Sequence, residues 1–169
     1  SFRDRTARVF YSNGSVCRGL TALAWEEWQS VAATSFFGHA TQAGRIVATD
    51  VVNPATADAA GAQQEWAAVL RHQTIPFVTY PYEWCFGMLR QAALLQLDLL
   101  EAALEEGITL KDATPFNIQW IGSSPIFIDV ASFVRWRPGQ PWVGYRQFCR
   151  TFLYPLFLQA YKGVAFQPW

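Results

Sequence analysis

The sequence predicts an α+β fold, a small and incomplete antiparallel sheet with one helix, joined to a mainly helical part that carries a β-hairpin. Three observations carry this. An Asn13-Gly14 turn separates two short β-rich runs near the start, residues 88–106 form a long leucine and alanine helix, and a Gly122-Ser123-Ser124-Pro125 turn separates two further β-rich runs.

Taken in order, Arg8 to Tyr11 and Ser15 to Arg18 read as strands, because Asn-Gly accepts the positive φ that a tight hairpin needs. Thr21 is an N-cap residue for a helix to Val31 with apolar positions 24, 25, 28 and 31 on one face. Residues 45–52 are rich in β-branched side chains and stop at Asn53-Pro54, which predicts a strand. A short helix is expected over 63–71. In residues 75–82, Pro76 and Pro81 favour an edge strand or extended connector. The 88–106 helix is apolar around nearly its whole girth, so it is expected to be buried, with Gly107 as its stop. A hairpin of 117–121 and 126–130 follows it. The tail, 145–163, has helical spacing of Phe148, Phe152, Leu156 and Phe157, with a kink at Pro155.

Composition narrows the function classes. The chain has 169 residues, 51% hydrophobic and 15% charged, with 13 basic against 13 acidic side chains. That balance describes one globular unit and excludes both a disordered polymer and a nucleic-acid binder driven by phosphate neutralisation. Every long uncharged run is interrupted by Gln, Ser, Thr or His, so no membrane span is expected. Cys17, Cys85 and Cys149 are odd in number and far apart, which fits a reducing cytoplasm rather than a disulfide framework. Cys85, between Trp84 and Phe86, is expected to be buried packing. The 16% aromatic content, with 8 Trp, exceeds what one small core usually absorbs and points to an interface with a further part of a longer chain.

Three polar residues stand out. Asp112 lies in the loop Leu110-Lys111-Asp112-Ala113-Thr114-Pro115-Phe116-Asn117 after the long helix, Asn117 ends that loop, and Asp129 closes the hairpin. Hard oxygen ligands fixed by a hairpin at one depth suit Mg²⁺, and a carboxylate in line suits phosphoryl transfer. The plainer reading of Asp112 and Asn117 is a capping carboxylate and a satisfied turn amide. His39 and His72 have no second ligand at metal spacing and read as satisfied or exposed histidines.

This arrangement resembles the catalytic half of the protein-kinase-like fold, including the aminoglycoside-phosphotransferase-like branch. The resemblance implies residues 1–80 as a small lobe, 81–84 as hinge and 85–169 as large lobe. It implies Asp112 as the catalytic acid or base, Asn117 and Asp129 as Mg²⁺ ligands, and ATP bound against the hinge near Tyr80 and Tyr82. Arg18 occupies the strand position where the family has a phosphate-holding Lys, with Glu26 or Glu27 as its nearest acids. The only lysines are Lys111 and Lys162, no Gly-rich loop precedes the first hairpin, and Val130-Ala131-Ser132-Phe133 follows Asp129 where protein kinases have Phe-Gly.

A narrower likeness rests on Thr79-Tyr80-Pro81-Tyr82-Glu83-Trp84, the 110–117 loop, and Phe127-Ile128-Asp129-Val130-Ala131-Ser132-Phe133. These strings are similar to the N-terminal region of bacterial nodulation-protein-like class I methyltransferases that use S-adenosylmethionine. That likeness implies a linked methyltransferase domain beyond Trp169 that binds S-adenosylmethionine, since residues 1–169 contain no acidic-x-Gly-x-Gly loop for it. Two functions follow as expectations. One is a degenerate, non-catalytic kinase-like module that supports or presents substrate to the methyltransferase. The other is an active Mg²⁺-ATP phosphotransferase acting on a small-molecule or glycan hydroxyl.

Overall fold

The structure, a computed structural model, describes residues 6–53 and 66–166. Strands β1 (Ala7–Ser12) and β2 (Ser15–Leu20) form the expected hairpin, with Asn13 at φ 47° and Gly14 at φ 76°. Two successive left-handed residues give a turn whose twist matches its strands. Helix α1 (Ala22–Ala32) starts at Thr21, whose hydroxyl oxygen accepts from the Ala24 N–H, and buries Trp28 and Val31 as its periodicity predicts.

Helix α2 (Ser35–Gln42) was not expected. Its start is anchored from afar, because the Glu106 carboxylate accepts from the N–H groups of Ser35 and Phe36 and from the Ser35 hydroxyl. The Ser35 hydroxyl bond is the main cause holding the Glu106 carboxyl below its ordinary pKa.

Strand β3 is Thr49–Val52, shorter than the 45–52 run, and Ile46 instead makes a parallel bridge to Phe127. The expected 63–71 helix is corrected: Ala68–His72 is strand β4, and residues 63–65 lie outside the described segments. β4 is paired on both sides in a sheet of order β1-β2-β4-β3, all antiparallel. Two ladders of backbone hydrogen bonds outweigh the weak helical preference of its alanine and leucine. It is β4, not residues 45–52, that leads into the connector.

Alternation divides the sheet into two faces. Leu20 and Leu70 enter the main core on one, alongside Arg18 and His72, while Cys17 and Val69 form a small second cluster on the other with Phe10, Val52 and Trp66. Gly19 lies on this second face, where the Trp66 indole occupies the space a Cβ would need. Gly19→Ala is therefore expected to displace Trp66 and cost about 1–3 kcal/mol in urea denaturation. An unchanged midpoint would contradict that packing.

Residues 75–80 form a connector rather than a strand and end in a 3₁₀ turn, Pro81–Glu83. Helix α3 (Phe86–Glu105) follows, about 30 Å long. It buries one broad side, including Leu89, Ala92, Leu99 and Ala103, but Leu94, Leu97 and Leu104 are exposed, so its apolar girth is not buried all round. Cys85 is exposed at the α3 N-cap, not packed inside, because its neighbours Trp84 and Phe86 are the residues that turn to the core. Cys17 and Cys149 are buried, and all three thiols are free.

Strands β5 (Ile108–Leu110) and β8 (Phe133–Arg135) pair in a two-stranded sheet that the sequence did not announce. Between them lies the hairpin of β6 (Ile118–Ile121) and β7 (Ser124–Phe127), so the second strand begins at Ser124 and ends before Asp129. Helix α4 (Tyr145–Phe148) runs through a π-helical stretch, Cys149–Leu153, into α5 (Tyr154–Lys162). The expected effect of Pro155 is absorbed by that widened turn, which accommodates a ring that would otherwise meet the carbonyl four residues earlier. Among the described residues, no helix is long and apolar enough to cross a membrane.

Candidate functional site

The polar centre lies where the inner face of the sheet meets the turn after β7. Arg18 projects from β2 and makes a 2.6 Å ion pair with Asp129, 111 residues away, with side-chain exposures of 10% and 23%. The pair runs from Arg18 Nη2 to Asp129 Oδ1, and among the described residues Arg18 Nε and Asp129 Oδ1 have no hydrogen-bond partner. The other carboxylate oxygen, Oδ2, accepts from the Ser132 hydroxyl at 2.8 Å, and Ser132 Oγ accepts from Asn117 Nδ2 at 3.3 Å. The 3₁₀ turn Val130–Ser132 makes this possible by bringing Ser132 back over Asp129.

Asn117 and Asp129 are thus brought together through Ser132, which sequence reasoning did not single out as a site residue. Asp112 joins through the backbone: the Lys111 N–H donates to the Ser132 carbonyl at 2.9 Å, so the Asp112 loop lies against the same turn. The loop is also held from below. Gln96, fully buried in α3, donates Nε2 to the Asp112 carbonyl, while the Ala113 N–H donates to Gln147 Oε1 and the Thr151 hydroxyl donates to the Ala113 carbonyl.

His72, on β4, sits beside this pair. Its Nδ1 lies 2.9 Å from the Thr49 hydroxyl, and its Nε2 is buried with no hydrogen-bond partner among the described residues. Burial first, then the Arg18 charge, lower its pKa from 6.5 to about 4, against the opposing pull of Asp129. The imidazole is therefore neutral above mildly acidic pH. Glu26 and Glu27, the sequence candidates for pairing with Arg18, do not do so. Glu27 accepts from the Arg135 N–H instead.

Tyr80 and Tyr82 stand on the connector with rings stacked at 5.3 Å and 3°. The connector is fixed by a reciprocal amide pair, in which the Thr79 N–H donates to Gln119 Oε1 and Gln119 Nε2 donates to the Thr79 carbonyl, both at 2.9 Å. Trp84 Nε1 also donates to the Thr79 hydroxyl. Tyr82 lines a groove of about 610 Å³ with Phe116, Arg146 and Arg150. A second groove, about 680 Å³, runs between α1 and residues 136–143.

As arranged, these side chains do not fit Mg²⁺. A cation needs free carboxylate and amide oxygens. Here Asp129 faces the Arg18 guanidinium on one oxygen and a hydroxyl donor on the other. Among the described residues, no group of three or more His, Cys, Asp or Glu could hold a metal ion.

Fold and site together define a mixed α+β protein with antiparallel sheets and a buried Arg-Asp centre. No family model matches the chain. A curated relative, the nodulation protein NoeA of Rhizobium meliloti (strain 1021), is 37% identical over all 169 residues. The chain spans 35% of the length of that relative.

Proposed function

We propose that this chain is a kinase-like, non-catalytic module of a larger protein, in which it supports or presents substrate to a methyltransferase domain that uses S-adenosylmethionine. The observation that carries the non-catalytic part is the Arg18–Asp129 ion pair. The residue at the phosphate-holding position pairs its charge with the acid at the metal-holding position, in place of nucleotide and Mg²⁺. The order of antiparallel sheet, connector, long helix, polar loop and hairpin supports the kinase-like part. Its attachment to further protein is supported by α5, which buries no side chain and exposes Tyr154, Phe157 and Tyr161. The span of only 35% of the nodulation relative points the same way.

The alternative, an active Mg²⁺-ATP phosphotransferase, is favoured by the Asn117-Ser132-Asp129 chain, which keeps both would-be ligands adjacent. Thermal denaturation of the full-length protein separates the two. ATP with Mg²⁺ is expected to leave the melting temperature unchanged. A Mg²⁺-dependent rise that disappears in Asp129→Asn would establish nucleotide binding and overturn the non-catalytic reading.

A further inference from the structure

Arg146 and Arg150 stand one turn apart at the junction of α4 and the π-helical stretch, and both line the 610 Å³ groove. Arg18, Arg45 and Arg71 each pair with an aspartate, and Arg135 is held by Ser30. The side chains of Arg146 and Arg150, like those of Arg8, Arg90 and Arg137, make no ion pair or side-chain hydrogen bond to a described residue, and among the described residues no carboxylate lines the groove. Like charges one turn apart repel, which favours an anion that binds both.

The rest of the wall is matched to a ring. Tyr82 and Phe116 are 52% and 55% exposed and border the same space, so their apolar surfaces are open to a ligand. Gln147 uses Oε1 to hold the Ala113 N–H, which leaves its Nε2 as a further donor at this wall. Thr151 is fixed by its bonds to the Ala113 and Gln147 carbonyls, so the backbone behind the arginines is held in place. The groove volume lies within the range of small-molecule sites, about 300–1,000 Å³. A π-helical turn at such a wall is itself frequent at functional sites.

We infer that this groove binds a small molecule that carries a phosphate or carboxylate on a ring, the oxyanion held by Arg146 and Arg150 and the ring against Tyr82 and Phe116. Two guanidinium forks suit the planar or tetrahedral oxygens of such a group, and an aromatic wall suits a flat or sugar-like face. This goes beyond the module's proposed role and holds whether or not nucleotide binds at Asp129.

Isothermal titration of the full-length protein with phenyl phosphate, benzoate, inorganic phosphate and benzyl alcohol tests it. Phenyl phosphate or benzoate is expected to bind, whichever is tighter identifying the oxyanion, and benzyl alcohol is not. Arg146→Gln with Arg150→Gln should weaken the ring oxyanion at least tenfold while circular dichroism and melting remain unchanged. Phe116→Ala should weaken phenyl phosphate without affecting inorganic phosphate. The inference is overturned if neither ring oxyanion binds, if the double variant binds as tightly as the parent, or if inorganic phosphate binds as tightly as phenyl phosphate.

Discussion

Asp129→Ala is expected to lower the unfolding free energy by about 3 kcal/mol, because it strands the Arg18 guanidinium in a nearly closed site. The value sits at the low end of the range for broken buried pairs, since Asp129 retains 23% side-chain exposure and water reaches the charge. The informative comparison is the double variant Arg18→Met with Asp129→Ala. Removing both charges also removes the desolvation cost, so stability should return to within about 1 kcal/mol of the parent. Urea denaturation of the two singles and the double gives the coupling directly. Purely additive losses would mean that the pair is not an energetic unit, and the site would lose its centre.

The second large effect is a pH dependence centred on His72. The unfolded imidazole titrates near 6.5 and the folded one at about 4, so between these values the unfolded state binds the extra proton. Stability from this group is fully present above pH 6.5 and falls as pH drops through that window, by about 3 kcal/mol in total. Burial and two charged groups set the size of the effect. Burial and Arg18 disfavour the imidazolium, and Asp129 favours it. His72→Asn keeps a hydrogen-bonding atom for Thr49 but removes the titration, so its stability should change less between pH 7 and 4 than that of the parent. Equal slopes in urea titrations at several pH values would show that His72 is not held neutral.

What was legible in the sequence follows a physical divide between local and distant causes. The Asn13-Gly14 hairpin and α3 were readable because turn chemistry and helical periodicity are written within a few neighbouring residues. Strand β4 was not, because its identity depends on pairing with β2 and β3 at once. Helix α2 contains Gly38 and receives its anchoring carboxylate from Glu106, 71 residues from Ser35, so no local window shows why it forms. In the candidate site, the spacing of Asp112, Asn117 and Asp129 and the strand position of Arg18 are visible in the sequence. The sequence did not show that Arg18 reaches Asp129, which depends on docking of the sheet against the turn after β7, or that Ser132 joins Asn117 to it, which depends on the 3₁₀ turn folding Ser132 back. The groove of Arg146 and Arg150 was missed because its walls come from separate elements, the connector at Tyr82, the loop at Phe116 and the α4 junction.

Besides the Arg18–Asp129 pair, two further ties hold the sheet side to the β6–β7 hairpin among the described residues. One is the backbone exchange around Ile46, where Phe127 donates to the Arg45 carbonyl and Val47 donates back to Phe127. The other is the amide clasp between Gln119 and Thr79. Each tie alone would act as a pivot, whereas the two together with the ion pair hold three places and restrain rotation between the parts. The separation of Arg18 and Asp129 is therefore set by hydrogen bonds on both strands of the hairpin as well as by their own charges.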